Sequence, residues 1–416
     1  MLDKIKNNIK SKQGKVLIGN FFSLSALQLV GMLLPLITLP YVLRVIGLEK
    51  YGLIALALSL VAYFNSIVDF SFRITATRDV AVFRNSPKKL NLIYSKVTTV
   101  KAIFLTLSLI LLTLIIIIYP PFYEEKFIFF SASLSLIGYM LFPEWFFQGM
   151  EKMKYITVIN IIVKVAFALS VFVFIKEEND YILYPLMTSL GLFFSGLAGQ
   201  YILIKKYKLK FYRMSFKRIK STININIPIF VNQFIPNLYN NTGGFLLGIF
   251  CAPTLLGLYT AVRQIIDLAI TLLTIISRVF FPYLNKNKSA FYIYKKIMFT
   301  LTVLGVLIII LSNQIIFWYL DIDYSSGIWV LILLSLSIIG NTAYDVFGLN
   351  YFIVNNEDNL VMSNTIKMSI IGFIITIPLI YFFDIIGAAL SLMLSRSLMG
   401  GGLYLKFFQL KNTKNN

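Results

Sequence analysis

The chain has 416 residues, 58% of them hydrophobic and 13% charged, with a mean hydropathy of +0.80. A soluble protein of this size lacks the interior to hide so much apolar surface, so the composition points to a bilayer and excludes disorder, collagen and a disulfide-stapled secreted scaffold. The net charge of +20 comes from 38 Lys and Arg against 18 Asp and Glu, and in a membrane protein that excess fits cytoplasmic loops better than nucleic-acid binding. With no His and a single cysteine, Cys251, the sequence excludes His-based metal sites and acid–base catalysis, the Ser-His-Asp triad, an internal disulfide and a thiolate metal cluster.

The first fifteen residues carry Lys4, Lys6, Lys10, Lys12 and Lys15, and the apolar run behind them is too long for a signal peptide. It reads as a retained first span. A spanning helix needs about 20 mostly apolar residues, a test that gives about twelve segments. They lie near 17–40, 47–70, 95–119, 127–148, 155–175, 181–204, 224–250, 256–281, 295–319, 327–353, 360–382 and 385–408.

Placing the N-terminus inside also puts inside Lys88, Lys89 and Lys96, the basic run from Lys205 to Lys220, then Lys286, Lys288, Lys295 and Lys296. The opposite loops hold Glu124, Glu125, Glu177, Glu178, Asp180, Asp321 and Asp323. The alternation predicts that both termini are cytoplasmic. The longest polar connection divides the chain into a six-helix lobe over 1–204, a basic cytoplasmic linker over 205–222 and a second six-helix lobe over 223–416. A weak internal echo supports the division. Tyr51-Gly52-Leu53 opens the second span, and Leu256-Gly257-Leu258-Tyr259 opens the eighth, about 205 residues later. Two pseudo-symmetric lobes with the substrate path between them are a common transporter design.

Charges inside spans are costly, at least about 2.5–3.5 kcal/mol near the centre, and therefore mark candidate sites. Lys164 lies roughly 13 Å into the fifth span, Arg263 about 9 Å into the eighth with Asp267 one turn deeper, and Arg396 about 15 Å into the twelfth. Arg263 and Asp267 are i,i+4 neighbours, as are Asp69 and Arg73 at the end of the second span. Two readings stand for all of them: bolts between helices, or a cationic cavity in which Lys164, Arg263 and Arg396 hold an anion such as a diphosphate. The seventh span is unusually polar. Gln233, Asn237 and Asn241 share a face, Pro236 favours a kink, and the first span has Gln28 with breaks expected at Pro35 and Pro40. Amides both donate and accept, which suits sugar hydroxyls, and equally suits hydrogen bonding between helices. Asp345, i,i+4 from Asn341, is a candidate proton or sodium coupling site, or a partner for Lys367 or Arg396. Asp69, Arg73 and Asp267 are further candidates for coupling or gating. No resident metal or cofactor is expected. Gly400-Gly401-Gly402 follows no strand and is no phosphate loop.

Several stretches resemble the bacterial oligosaccharide flippases, the O-antigen and capsule repeat-unit translocases of the polysaccharide-transport family. Leu39 to Gly52 looks like their first helix–loop. Asp69-Phe70-Ser71-Phe72 followed by Ala76-Thr77-Arg78-Asp79 looks like their second-helix exit. Pro143-Glu-Trp-Phe-Phe-Gln-Gly-Met-Glu-Lys-Met-Lys-Tyr155 is the most specific match, and Asn237 to Gly257 and Ser277 to Pro282 are less distinctive. The resemblance implies an all-α integral membrane fold, two six-helix lobes around a central cavity, similar to multidrug exporters of the MATE type. It implies an undecaprenyl-diphosphate-linked oligosaccharide as substrate, carried to the outer leaflet of the bacterial inner membrane by alternating access, and no enzymatic activity. It implies membrane lipids, a glycan polymerase and a chain-length regulator as partners, and no nucleic acid. A cation-coupled multidrug exporter of the same superfamily is the alternative, and it would need an acidic cavity where the deep charges here lean basic. A membrane glycan polymerase or ligase ranks lower, because no outer loop exceeds roughly ten residues.

Overall fold

A computed structural model of the chain describes residues 12–415, without the side chains of residues 12–18, 20–22, 24, 236–240, 324–326 and 411–415. Every regular element among the described residues is helical. That follows from the composition: in hydrocarbon each backbone N–H and C=O must be satisfied within its own segment. The helices are α1 (Lys12–Asp69), α2 (Phe72–Phe83), α3 (Pro87–Ile118), α4 (Pro120–Glu124), α5 (Lys126–Ser133), α6 (Ser135–Leu141), α7 (Glu144–Gly149) and α8 (Met153–Phe174). They continue with α9 (Leu183–Lys205), α10 (Phe216–Phe250), α11 (Pro253–Lys286), α12 (Phe291–Leu311), α13 (Asn313–Leu320), α14 (Tyr324–Ala343), a π-helical segment (Tyr344–Phe352) and α15 (Asp358–Asn415).

Nine helical stretches among the described residues are long and apolar enough to cross a membrane, so the protein is a multi-pass membrane protein with an all-α fold. The number twelve is not fixed by them. Two stretches each cover two of the expected spans. A helix of 58 residues is about 87 Å long, far beyond a hydrocarbon core of about 30 Å, so it must bend. α1 turns at Gly47, where φ is 74° and ψ 168°, a conformation open to glycine. At Pro35 and Pro40 the dihedrals stay helical, and the Thr38 hydroxyl is 3.2 Å from the carbonyls of both Leu34 and Pro35. α15 turns at Asp384, where φ is 46° and ψ −125°. The expected seventh span, 224–250, falls within the single helix α10, Phe216–Phe250. The expected fourth span is broken into α5, α6 and α7, the last opening after Pro143.

The described residues pack as two compact units, one of residues 12–38 and 60–231, the other of residues 39–59 and 232–415. In the first unit Phe72, Val80, Tyr94, Trp145, Phe146 and Phe147 pack together. The two stretches of family resemblance around Asp69 and Pro143 thus meet in one core, with the Thr77 hydroxyl donating to the Trp145 carbonyl at 3.1 Å and Arg84 paired with Glu151 at 3.2 Å. Residues 207–214 lie along α3. The Lys210 amide donates to the Asn91 side chain and the Tyr212 amide to the Ser95 hydroxyl, both at 2.9 Å, while Leu209 and Met214 are buried.

The second unit centres on Phe291, Tyr294, Met298, Phe347, Phe352 and Phe407. Here the internal echo acquires a physical meaning. A Cβ on Gly52 would strike the Pro253 carbonyl, and one on Gly257 would strike the Leu48 carbonyl. The two glycines let α1 and α11 touch backbone to backbone.

Candidate functional site

Each unit holds a polar centre within its apolar bundle. In the first unit Phe70 and Ser71 adopt positive φ, 44° and 60°, and end the helix before α2 begins. Asp69 and Arg73 therefore do not share a helix face, and their expected pairing is replaced by two others. Lys101, only 3% exposed, donates to Asp69 Oδ1 at 3.2 Å and to the Tyr139 carbonyl at 3.3 Å. Arg73 Nη2 lies 3.0 Å from Glu144 Oε1, which also accepts from Gln148 Nε2 at 2.7 Å. Lys101 was overlooked in the sequence, although it lies about 9 Å inside the expected third span, a depth that is itself a signal.

Lys164 is half-buried on α8 and, among the described residues, makes no hydrogen bond or ion pair. Its ammonium rests against Gly31, where a Cβ would displace it. Gln28 is one turn before Gly31 on the same helix face and is also half-buried.

In the second unit Arg263, Asp267 and Arg396 form one cluster. Asp267 Oδ2 is 3.3 Å from Arg263 Nε, without hydrogen-bond alignment, and its Oδ1 accepts from Arg396 Nη2 at 3.2 Å. Arg396 is buried and also donates to Ser337 at 3.0 Å. Two guanidinium groups thus share one carboxylate, leaving a net charge of +1. The serines next to Arg396 in sequence are not its partners. A carboxylate and a hydroxyl from other helices are, which one-dimensional spacing does not reveal.

Beside this cluster opens a cavity of about 470 Å³, with Arg396, Asn232, Thr274, Asn341, Tyr344 and Asp345 in its wall. Asp345 is 6% exposed and accepts from the Thr274 hydroxyl at 3.1 Å. It pairs with neither Lys367, which is exposed, nor Arg396. Its place in the π-helical segment is held by Asn350, whose side-chain amide donates to the Asp345 carbonyl, to Ser277 and to the Tyr294 hydroxyl. π-helical segments are rare and are frequently found at functional sites. Of the expected sugar-facing amides, Gln233 and Asn241 are half-buried and stand outside this cavity wall, and the Asn237 side chain lies outside the described residues. Asn232, one residue before Gln233, lines the cavity instead. Among the described residues no group of three His, Cys, Asp or Glu is arranged to hold a metal ion.

Paired intramembrane charges, a polar cavity and a bent all-helical architecture define the class: a multi-pass protein with the fold of known membrane transporters. The structure resembles that of a lipid II flippase, MurJ, in an inward closed conformation, with a TM-score of 0.74 at 13% identity, covering 94% of this chain and 87% of that one. It also resembles an inward-facing multidrug resistance MATE family transporter of the MOP superfamily, with a TM-score of 0.68 at 14% identity, covering 95% and 99%. Two curated relatives each carry the name "Putative O-antigen transporter". That of Escherichia coli K12 is 25% identical over 390 residues, 91% of this chain and 94% of the relative; that of Shigella dysenteriae is 25% identical over 376 residues, 88% and 94%. Residues 17–288, about two thirds of the chain, match the family described as polysaccharide biosynthesis protein, and the chain belongs to that family.

Proposed function

We propose that the protein is a flippase that moves a polyprenyl-diphosphate-linked oligosaccharide repeat unit from the cytoplasmic to the outer leaflet of a bacterial inner membrane by alternating access, with both termini cytoplasmic. The observation that carries this reading is the cavity at Arg396 and Asp345, walled by amides, hydroxyls and both signs of charge inside an apolar bundle. The lipid tail of such a substrate stays in hydrocarbon while its head crosses. The head then needs donors and acceptors in place of water, and side-chain amides supply both. Membership of a polysaccharide biosynthesis family and relatives named for O-antigen transport support the substrate class.

In this proposal Arg396, in the cavity wall, contacts the diphosphate, with Arg263 beside it across the shared Asp267 carboxylate. Asp267 half-neutralises the two arginines, so an arriving phosphate competes with that carboxylate for guanidinium donors instead of falling into a bare positive well. That competition allows release as well as binding. Asp345 is the proposed coupling group, for a proton or sodium ion. The glycan polymerase and chain-length regulator are the proposed protein partners.

A cation-coupled multidrug exporter is the second reading, favoured by one observation: Asp345 is a cavity carboxylate with no cation of the described residues within ion-pair distance, Arg278 acting on it from farther off. Depleting the protein in its host and analysing the lipid-linked glycan separates the two. Single repeat units accumulating on the cytoplasmic face, hidden from an external glycosidase, are expected. Single units exposed on the outer face would point to a polymerase, and an unchanged glycan pool would point to drug export.

A further inference from the structure

The first unit has a second cavity, of about 630 Å³, that the proposed transport path does not use. Its wall holds Arg78 of α2, Lys96 of α3, and Lys217 and Arg218 at the start of α10, against one carboxylate, Asp79. Asp79 lies 4.0 Å from Arg78 Nε, and the net charge of this wall is +3. Among the described residues Lys96, Lys217 and Arg218 have no hydrogen bond or ion pair through their side chains.

Three features make this a built site and not a loose basic loop. First, residues 207–214 are pinned along α3 by the Asn91 and Ser95 side chains, which brings Lys217 and Arg218 to the same cavity as Lys96. Second, Asn226 lines the cavity and is 95% buried; its amide nitrogen donates to the Thr222 carbonyl at 2.7 Å, while its Oδ1 accepts nothing from the protein. That oxygen calls for a donor such as a hydroxyl. Third, the cavity lies at a definite depth. The stretch of α3 beyond Lys96, residues 97–118, is about 33 Å long, close to a hydrocarbon core of about 30 Å. Lys96 is therefore at the level of lipid headgroups.

We propose that this cavity binds the phosphate ester of a hydroxyl-bearing lipid headgroup at the membrane surface. The cations take the phosphate, and Asn226 accepts from a hydroxyl of the headgroup. The inference does not depend on transport activity. The same chemistry has two sources, a glycerol phospholipid of the bilayer or the phosphate end of a lipid-linked glycan.

The test uses the full chain in phosphatidylcholine nanodiscs doped with phosphatidylglycerol, with retained phosphatidylglycerol counted by native mass spectrometry. Lys96→Gln/Lys217→Gln/Arg218→Gln is compared with Lys88→Gln/Lys89→Gln/Lys152→Gln, which loses the same charge outside this wall. The cavity variant is expected to bind at least about tenfold more weakly, and the control within about twofold of the unaltered chain. Lys217 and Arg218 are exposed, so a Lys217→Gln/Arg218→Gln variant keeps the test independent of folding. Farnesyl diphosphate, a soluble isoprenoid diphosphate, then identifies the source. If it displaces phosphatidylglycerol, the site serves a lipid-linked diphosphate; if phosphatidylglycerol binds undisplaced, the site serves a bilayer phospholipid. Equal losses in the cavity and control variants, or no loss in either, would overturn the proposal.

Discussion

Removing the partner of a buried charge costs more than removing both, and the Lys101–Asp69 pair offers a sharp case. The Lys101 side chain is 4% exposed and that of Asp69 32%. Breaking a fully buried pair from one side costs about 3–5 kcal/mol, because the remaining charge is stranded. In Lys101→Met the stranded group is Asp69, which water reaches over about a third of its surface, so a loss of about 2–3 kcal/mol is expected. In Asp69→Asn the stranded group is the ammonium, left with the Tyr139 carbonyl and an amide, and the loss is larger, about 3–4 kcal/mol. The double variant strands neither charge and recovers about 2 kcal/mol relative to the sum of the singles. The assay is equilibrium unfolding in mixed micelles titrated with dodecyl sulfate, with all four proteins at one ionic strength. A coupling below about 0.5 kcal/mol, or Lys101→Met proving the costlier change, would refute the reasoning.

Gly52→Ala drives a Cβ into the Pro253 carbonyl, so the yield of folded protein should collapse, whereas Gly305→Ala, with nothing within 4 Å, should be tolerated; size-exclusion profiles of the two variants decide it. Asp267→Asn removes the carboxylate shared by Arg263 and Arg396, and glycan display in a complemented host should fall at least about tenfold at unchanged expression, as expected when a hydrogen-bonded charge loses its partner. The Cys251 thiol lies between α10 and α11, where burial and the Asp384 carboxylate it donates to at 3.3 Å push its pKa up to about 11. Because the raised value favours the protonated form, maleimide labelling at pH 7.4 should run about tenfold slower than for an ordinary thiol and keep accelerating toward pH 11, and Asp384→Asn should speed it; a rate that levels off near pH 9 would contradict this.

Much of the fold was legible because a bilayer leaves the backbone few choices. Long apolar runs must be helices, and Pro87 and Pro253 sit at helix starts where a missing N–H costs nothing. Most of the deep charges, though not Lys101, were legible too, since each is expensive enough to stand out: Arg263, Asp267 and Arg396 form one cluster and Asp345 lines the cavity beside it. Their partners were not. Local spacing named Arg263 and Asp267 correctly as neighbours because a continuous helix joins them. It failed for Asp69 and Arg73 because two residues of positive φ intervene.

What the sequence alone determined is the class: a helical membrane protein whose motifs place it in a polysaccharide biosynthesis family. Tertiary structure decided the rest. It gave Asp267 a second arginine, gave Asp69 the ammonium of Lys101, and placed Asn232 rather than Gln233 in a cavity wall. The physical reason is that insertion into lipid is judged segment by segment, so a sequence records which residues are costly. Their partners lie on other helices, at separations as wide as the 129 residues between Asp267 and Arg396, and only packing brings them together.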